Sequence, residues 1–128
     1  EGLLARRQQI IAKYNAAFSD DRFIAPAHRG ENFCSSGHLY LLRIKGIDHQ
    51  KRCEIINKMG EKGIACNVHY KPLPMHTAYK KLGFDIKDYP NAYAHFANEI
   101  TLPLHTCLSD EDVAYVIEKY TEILKEYI

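Results

Sequence analysis

Two prolines two residues apart, Pro72 and Pro74, set a limit on the middle of this chain. Neither can donate a backbone hydrogen bond, so neither helix nor ladder runs through them. Upstream, Gly63 follows a helical pattern and suits the left-handed position just past a helix end. Ile64, Cys66 and Val68 then alternate with Ala65, Asn67 and His69, the period of a strand with one buried face. A strand over 64–69 is therefore expected, followed by a stiff loop. His69, Tyr70 and His76 leave the strand end on that loop, where rigid scaffolds often present ligand contacts.

The flanking sequence supplies the scaffold. Leu3, Leu4, Ile10, Ile11, Tyr14 and Phe18 predict an amphipathic helix over 3–18, stopped at Ser19-Asp20-Asp21. Residues 22–25 read as a short strand ended by Pro26, and 27–37 as loop. His38 to Ile44 is the most strand-like run and is placed centrally in a sheet. Asp48 caps a helix over 49–62, with Cys53, Ile56 and Met59 as its buried stripe. If the strands at 38–44 and 64–69 are parallel neighbours, their crossover is right-handed. Short helices follow over 75–82 and 91–98, the second with Tyr93, Phe96 and Ala97 as its apolar face. An extended piece spans 99–102. Ser109 opens the clearest helix, with Asp112 in the capping-box position and a stripe through Val113, Val116, Ile117, Tyr120, Leu124 and Tyr127. The expected fold is one α/β domain over 1–128, α+β-like. A small sheet of three or four short strands is covered by a long helix at each end of the chain and one in the middle.

Charge excludes several functions. Seventeen basic and sixteen acidic side chains leave a net charge of +1, with no footprint for nucleic acid. No apolar run reaches the roughly 18–20 residues of a membrane span. The four cysteines lack C-x-x-C spacing, and reduced thiols in a cytoplasmic protein are expected. The chain opens at Glu1-Gly2 without an initiator Met and reads as an excised domain.

Seven histidines raise the question of a metal, yet no H-x-x-x-H or H-E-x-x-H occurs. Cys66 falls among buried strand positions and reads as an inert thiol rather than a nucleophile. Glycines are too sparse for a phosphate-cradling loop. Tyr70 and Lys71 offer a hydroxyl and a charge to a phosphate or sugar. His69, Tyr70 and His76 are the candidate substrate contacts. Tyr79 and Arg43 are weaker ones, since strand arginines often only snorkel. On residues alone, the alternative reading is that His69 ends a strand while Tyr70 packs its ring and wets its hydroxyl.

Several pieces resemble one family. Gly63-Ile64, Val68-His69-Tyr70, Pro72-Leu73 and His76 are similar to a signature near the C-terminus of the DegT/DnrJ/EryC1/StrS aminotransferases. Tyr14 after Arg6 and Arg7, His38-Leu39-Tyr40, Pro90 with Ala92 and Ala94, Leu102-Pro103-Leu104 and Ser109–Val113 match further pieces in order. Pro74-Met75 departs from the pattern by displacing His76. The resemblance implies the small C-terminal domain of a fold-type I aminotransferase. Such an enzyme uses pyridoxal 5'-phosphate (PLP) as electron sink and moves an amino group, usually from glutamate, to a nucleotide-linked keto-sugar. It implies amino-sugar or cell-surface polysaccharide biosynthesis in a bacterial cytoplasm, and a homodimer. The lysine that holds PLP is expected in an N-terminal domain, since none of the eleven lysines here has the family's context. No catalytic, cofactor-binding or metal residue is therefore expected in this chain. The resemblance further implies that the terminal helices pack on that domain and leave apolar surface exposed without it. Two readings from other classes remain: a stand-alone α/β module binding a small anionic ligand, and a histidine-built metal hydrolase.

Overall fold

The run from Tyr40 to Ile44 alternates buried and half-buried residues, and the sheet grows on both of its edges. The computed structural model describes residues 2–128; Glu1 lies outside them. Helix α1 (Gly2–Ala17) leads to β1 (Phe23–Ile24). A small hairpin of β2 (Arg29–Gly30) and β3 (Phe33–Cys34) occupies the stretch expected to be loop. Next come β4 (Tyr40–Ile44), α2 (His49–Glu61), a 3-10 turn (Leu73–Met75), α3 (Thr77–Lys81) and a second 3-10 turn (Ile86–Asp88). Helix α4 (Pro90–Asn98), β5 (Glu99–Leu102) and α5 (Asp110–Leu124) complete the chain.

The main sheet has the order β1-β4-β5 and is antiparallel throughout. The expectation of a central strand before α2 is met. The parallel strand–helix–strand alternative is not, because both neighbours of β4 run against it. The strand expected over 64–69 also fails. Only Asn67 pairs, in an isolated bridge to Thr101. Two neighbouring amides bond to side chains instead: Val68 N–H donates to Asn67 Oδ1 at 2.8 Å and His69 N–H to Glu99 Oε2 at 3.0 Å. Side chains that capture backbone amides compete directly with a ladder.

Register divides the sheet into two faces. Tyr40 opposes Leu102 and Leu42 opposes Ile100, so these four share the core face. They meet Ile10, Tyr14 and Phe18 of α1 and its C-terminal end, Ile55 and Met59 of α2, and Val113, Val116 and Tyr120 of α5. Two tyrosines bury rings but keep their hydroxyls bonded, as polar tips require. Tyr14 donates to the Pro103 carbonyl at 2.8 Å and Tyr40 to Asn15 Oδ1 at 2.9 Å. Helix α5 opens on a complete capping box, with Ser109 Oγ and Asp112 Oδ2 each accepting the other's amide. Asp110 beside it pairs with Arg6 and Lys13, both at 2.7 Å, which ties α1 to the start of α5.

Helix α2 is capped by Asp48 as its sequence requires, but its buried stripe is Arg52, Ile55 and Met59. The expected Cys53 and Ile56 are only half-buried. The helix is turned so that Arg52 lies over the Phe96 ring, 4.7 Å from its centroid. On α4, Phe96 is buried as expected, whereas Tyr93 is exposed. Leu3 and Leu4 also stand exposed on the first turns of α1.

Candidate functional site

The second face of the sheet carries Leu41 opposite Thr101 and Arg43 opposite Glu99. Helix α4 and the 67–76 segment cover it. Arg43 donates through Nε to Asn98 Oδ1 at 2.9 Å and through a terminal nitrogen to the Ala94 carbonyl at 3.3 Å. It ties β4 to the end of α4.

Glu99 is fully buried on this face and Thr101 nearly so. Thr101 Oγ1 donates to Glu99 Oε1, and His69 Nδ1 lies 2.8 Å from the same hydroxyl. Together with the amide bond to Glu99 Oε2, two contacts fasten His69 to β5, and the Thr101–Glu99 bond braces them. Tyr70 follows, and its ring meets the His69 ring edge-on at 4.7 Å. The Tyr70 side chain is 71% exposed. The structure thus brings His69 and Tyr70 together at the end of the 64–70 segment.

His76 stands apart from this pair. It is exposed, and its Nε2 lies 3.3 Å from the Lys71 carbonyl within the same loop. It occupies the N-cap of α3 without making a cap bond. Lys71 is exposed. Tyr79 packs edge-on against Phe84 at 6.0 Å. Both line an open apolar groove of about 330 Å³ with Leu73, Pro74 and Tyr89, beside the loop. The prolines do what their sequence predicts: Pro72 precedes the 3-10 turn and Pro74 is buried within it.

Glu99 and Thr101 were not singled out by sequence. Their signal was a carboxylate inside a four-residue strand in which every position is buried. Burial holds the Glu99 carboxyl above its ordinary value. The bonds from Thr101 and His69, and the positive fields of His95 and His69, oppose that shift without cancelling it. An acid whose folded pKa is raised binds its proton more tightly in the folded state. Its stabilising contribution is complete below the unfolded value, about 4.3, and is lost as pH rises through the folded one. Over a pH series upward from about 4, wild type is therefore expected to lose stability relative to Glu99→Gln. Urea unfolding of both proteins across that range checks this; a gap independent of pH overturns it.

Cys66 is half-buried, and burial pushes its thiol up to about 12, which suppresses the nucleophilic thiolate. All four cysteines are free. Among the described residues no three His, Cys, Asp or Glu side chains gather as a metal site would require. No described helix is long and apolar enough to cross a membrane.

Known proteins share both this fold and this sequence. A putative sugar aminotransferase of Streptococcus pneumoniae, Spr1654, solved in its PMP form, superposes with a TM-score of 0.95 at 50% identity, over 99% of this chain and 32% of that one. The spore coat polysaccharide biosynthesis protein SpsC of Bacillus subtilis (strain 168) is 32% identical over 94% of this chain and 32% of its own length. A UDP-4-amino-4,6-dideoxy-N-acetyl-beta-L-altrosamine transaminase of Helicobacter pylori is 28% identical over 98% of the chain and 33% of its own length. The chain thus spans about a third of the length of these relatives. With residues 1–121 matching the family's sequence pattern along almost the entire fold, the chain belongs to the DegT/DnrJ/EryC1/StrS aminotransferase family.

Proposed function

We propose that this chain is the small C-terminal domain of a cytoplasmic, PLP-dependent aminotransferase that acts on a nucleotide-linked keto-sugar. The amino group comes from glutamate, the product enters amino-sugar or surface-polysaccharide biosynthesis, and the full-length enzyme is a homodimer. The observation that carries the reading is the pair His69–Tyr70, anchored to β5 by two hydrogen-bonding contacts of His69 and presented at the surface. An anchored imidazole and an exposed phenol ring suit a sugar, which needs both hydrogen bonds and a flat apolar face. In this reading His69 and Tyr70 hold the sugar, and His76 contributes from the rim of the loop.

The residues of this chain do not form a PLP cradle. All eleven lysines are exposed or half-buried. The cofactor site accordingly belongs to a large N-terminal domain outside this chain. PLP supplies the electron sink for moving the amino group. This chain's residues bind and orient the sugar.

The test is made on the full-length protein. His69→Ala and Tyr70→Ala are each expected to lower kcat/KM for a nucleotide keto-sugar about tenfold, the loss of one good hydrogen bond or stacking contact. The PLP absorption band should be unchanged in both variants. A full-length protein without PLP overturns the reading, and so do variants that match wild type.

A further inference from the structure

The contacts around Glu99 determine where one hydrogen must sit. Glu99 Oε2 accepts the His69 amide at 3.0 Å, and Oε1 accepts the Thr101 hydroxyl. An ionised carboxylate has no hydrogen to give, and a threonine hydroxyl has one. Thr101 therefore faces His69 Nδ1 with a lone pair, across 2.8 Å. The hydrogen in that contact belongs to Nδ1. The opposite nitrogen, Nε2, makes no bond within the described residues and is not among the buried polar atoms.

We propose that Glu99 and Thr101 form a positioning relay that fixes His69 as its Nδ1–H tautomer, leaving Nε2 as an acceptor for a hydroxyl or amide N–H of a bound sugar. Its last step rests on the proposed reading of His69 as a sugar contact; the tautomer itself does not. A bare Nε2 accepts but does not donate, so a neutral His69 set in this way addresses the sugar ring. The diphosphate offers only acceptor oxygens, which a bare Nε2 cannot engage. The second bond made by a histidine commonly sets which nitrogen serves a ligand in this manner.

The surrounding charges leave the relay intact. Arg43, the register partner of Glu99, turns its guanidinium to Asn98 and Ala94 rather than to the carboxylate. Burial raises the Glu99 carboxyl and the bonds from Thr101 and His69 oppose that shift, so the relay operates above the pH at which Glu99 ionises. The relay sits on β5, whose Thr101 also exchanges both backbone hydrogen bonds with Asn67. Backbone and side chain thus place the imidazole together.

The experiment is a two-bond 15N–1H correlation spectrum of the imidazoles in the full-length protein, labelled with 15N at histidine only. It is recorded at about pH 8.5, above the ordinary range for imidazole. His69 is assigned by His69→Gln. Wild type is expected to show Nδ1–H as the dominant form. Thr101→Val should make Nε2–H dominant, and Thr101→Ser should restore the wild-type pattern. A wild-type spectrum dominated by Nε2–H overturns the relay, as does a valine variant with an unchanged pattern. Should the valine variant fail to fold, the wild-type and serine spectra still decide.

Titration with UDP and with UDP-N-acetylglucosamine tests the last step. The Nε2 resonance should shift only with the sugar, and Thr101→Val should weaken that binding about fivefold. An equal shift with UDP alone overturns the assignment to the sugar while leaving the tautomer result standing. Absence of a shift with either ligand counts against the proposed sugar contact, not against the relay.

Discussion

Ile100→Ala is expected to destabilise the chain by about 2–5 kcal/mol, a large share of the roughly 5–15 kcal/mol that holds a typical domain together. Ile100 is completely buried and sits opposite Leu42 on the core face of β5. It packs in the same cluster as residues of α1, α2 and α5. Truncation removes three carbons from water-free surroundings and leaves a cavity. Strands cannot close that cavity without giving up their register. With a urea slope of about 1–3 kcal/mol per molar, the unfolding midpoint should fall by at least about 0.7 M. Leu82→Ala is the control, because Leu82 is 73% exposed. Its effect should stay within about 0.5 kcal/mol. Equal shifts for the two variants would show that the packing described at β5 is wrong.

Arg52→Met is expected to act in the opposite direction and raise stability by about 1–2 kcal/mol. Arg52 is only 5% exposed, and its Nε and one terminal nitrogen have no partner. Among the described residues no carboxylate pairs with it. Burying a charge without a counter-charge costs several kcal/mol, and a desolvated guanidinium over a phenyl ring returns only about 2 of it. Methionine keeps the length and the contact with Phe96 and removes the charge. The urea midpoint should therefore rise. A fall would mean that the contact between the guanidinium and the Phe96 ring outweighs the desolvation of Arg52.

The same arginine explains one limit of reading the chain from its sequence. Periodicity located α2 and Asp48 located its start, because capping and spacing are local properties. The stripe was set one residue off, since a charged side chain was assigned to solvent. Only the meeting with Phe96, more than forty residues later, turns Arg52 inward. The central strand and the last helix were legible for the opposite reason. Tyr40–Ile44 and Asp110–Leu124 carry strong patterns of their own, and tertiary contacts agree with them.

The segment at 64–69 shows the converse. Its alternation is real, and Ile64 is buried while Ala65 is exposed. Whether such a segment joins a sheet depends on where its amides go, and here Asn67 and Glu99 take two of them. The site was legible to the same degree. His69 and Tyr70 announced themselves by standing before two prolines. The Glu99–Thr101 pair that holds His69 lies thirty residues downstream, where no local pattern links it to the histidine. His76, which Pro74-Met75 already sets off from the family pattern, has its ring bonded only to the Lys71 carbonyl of the same loop.

The single bridge between Asn67 and Thr101 has an evolutionary consequence. A loop woven into a sheet by a full ladder would pass every insertion or substitution on to the core. Here the loop carrying Tyr70 and His76 joins the sheet through one bridge and a few side-chain bonds. Its tip is free to accumulate changes while β4 and β5 stay fixed. Such a layout lets descendants of one ancestral domain vary this loop without renegotiating the stability of the fold.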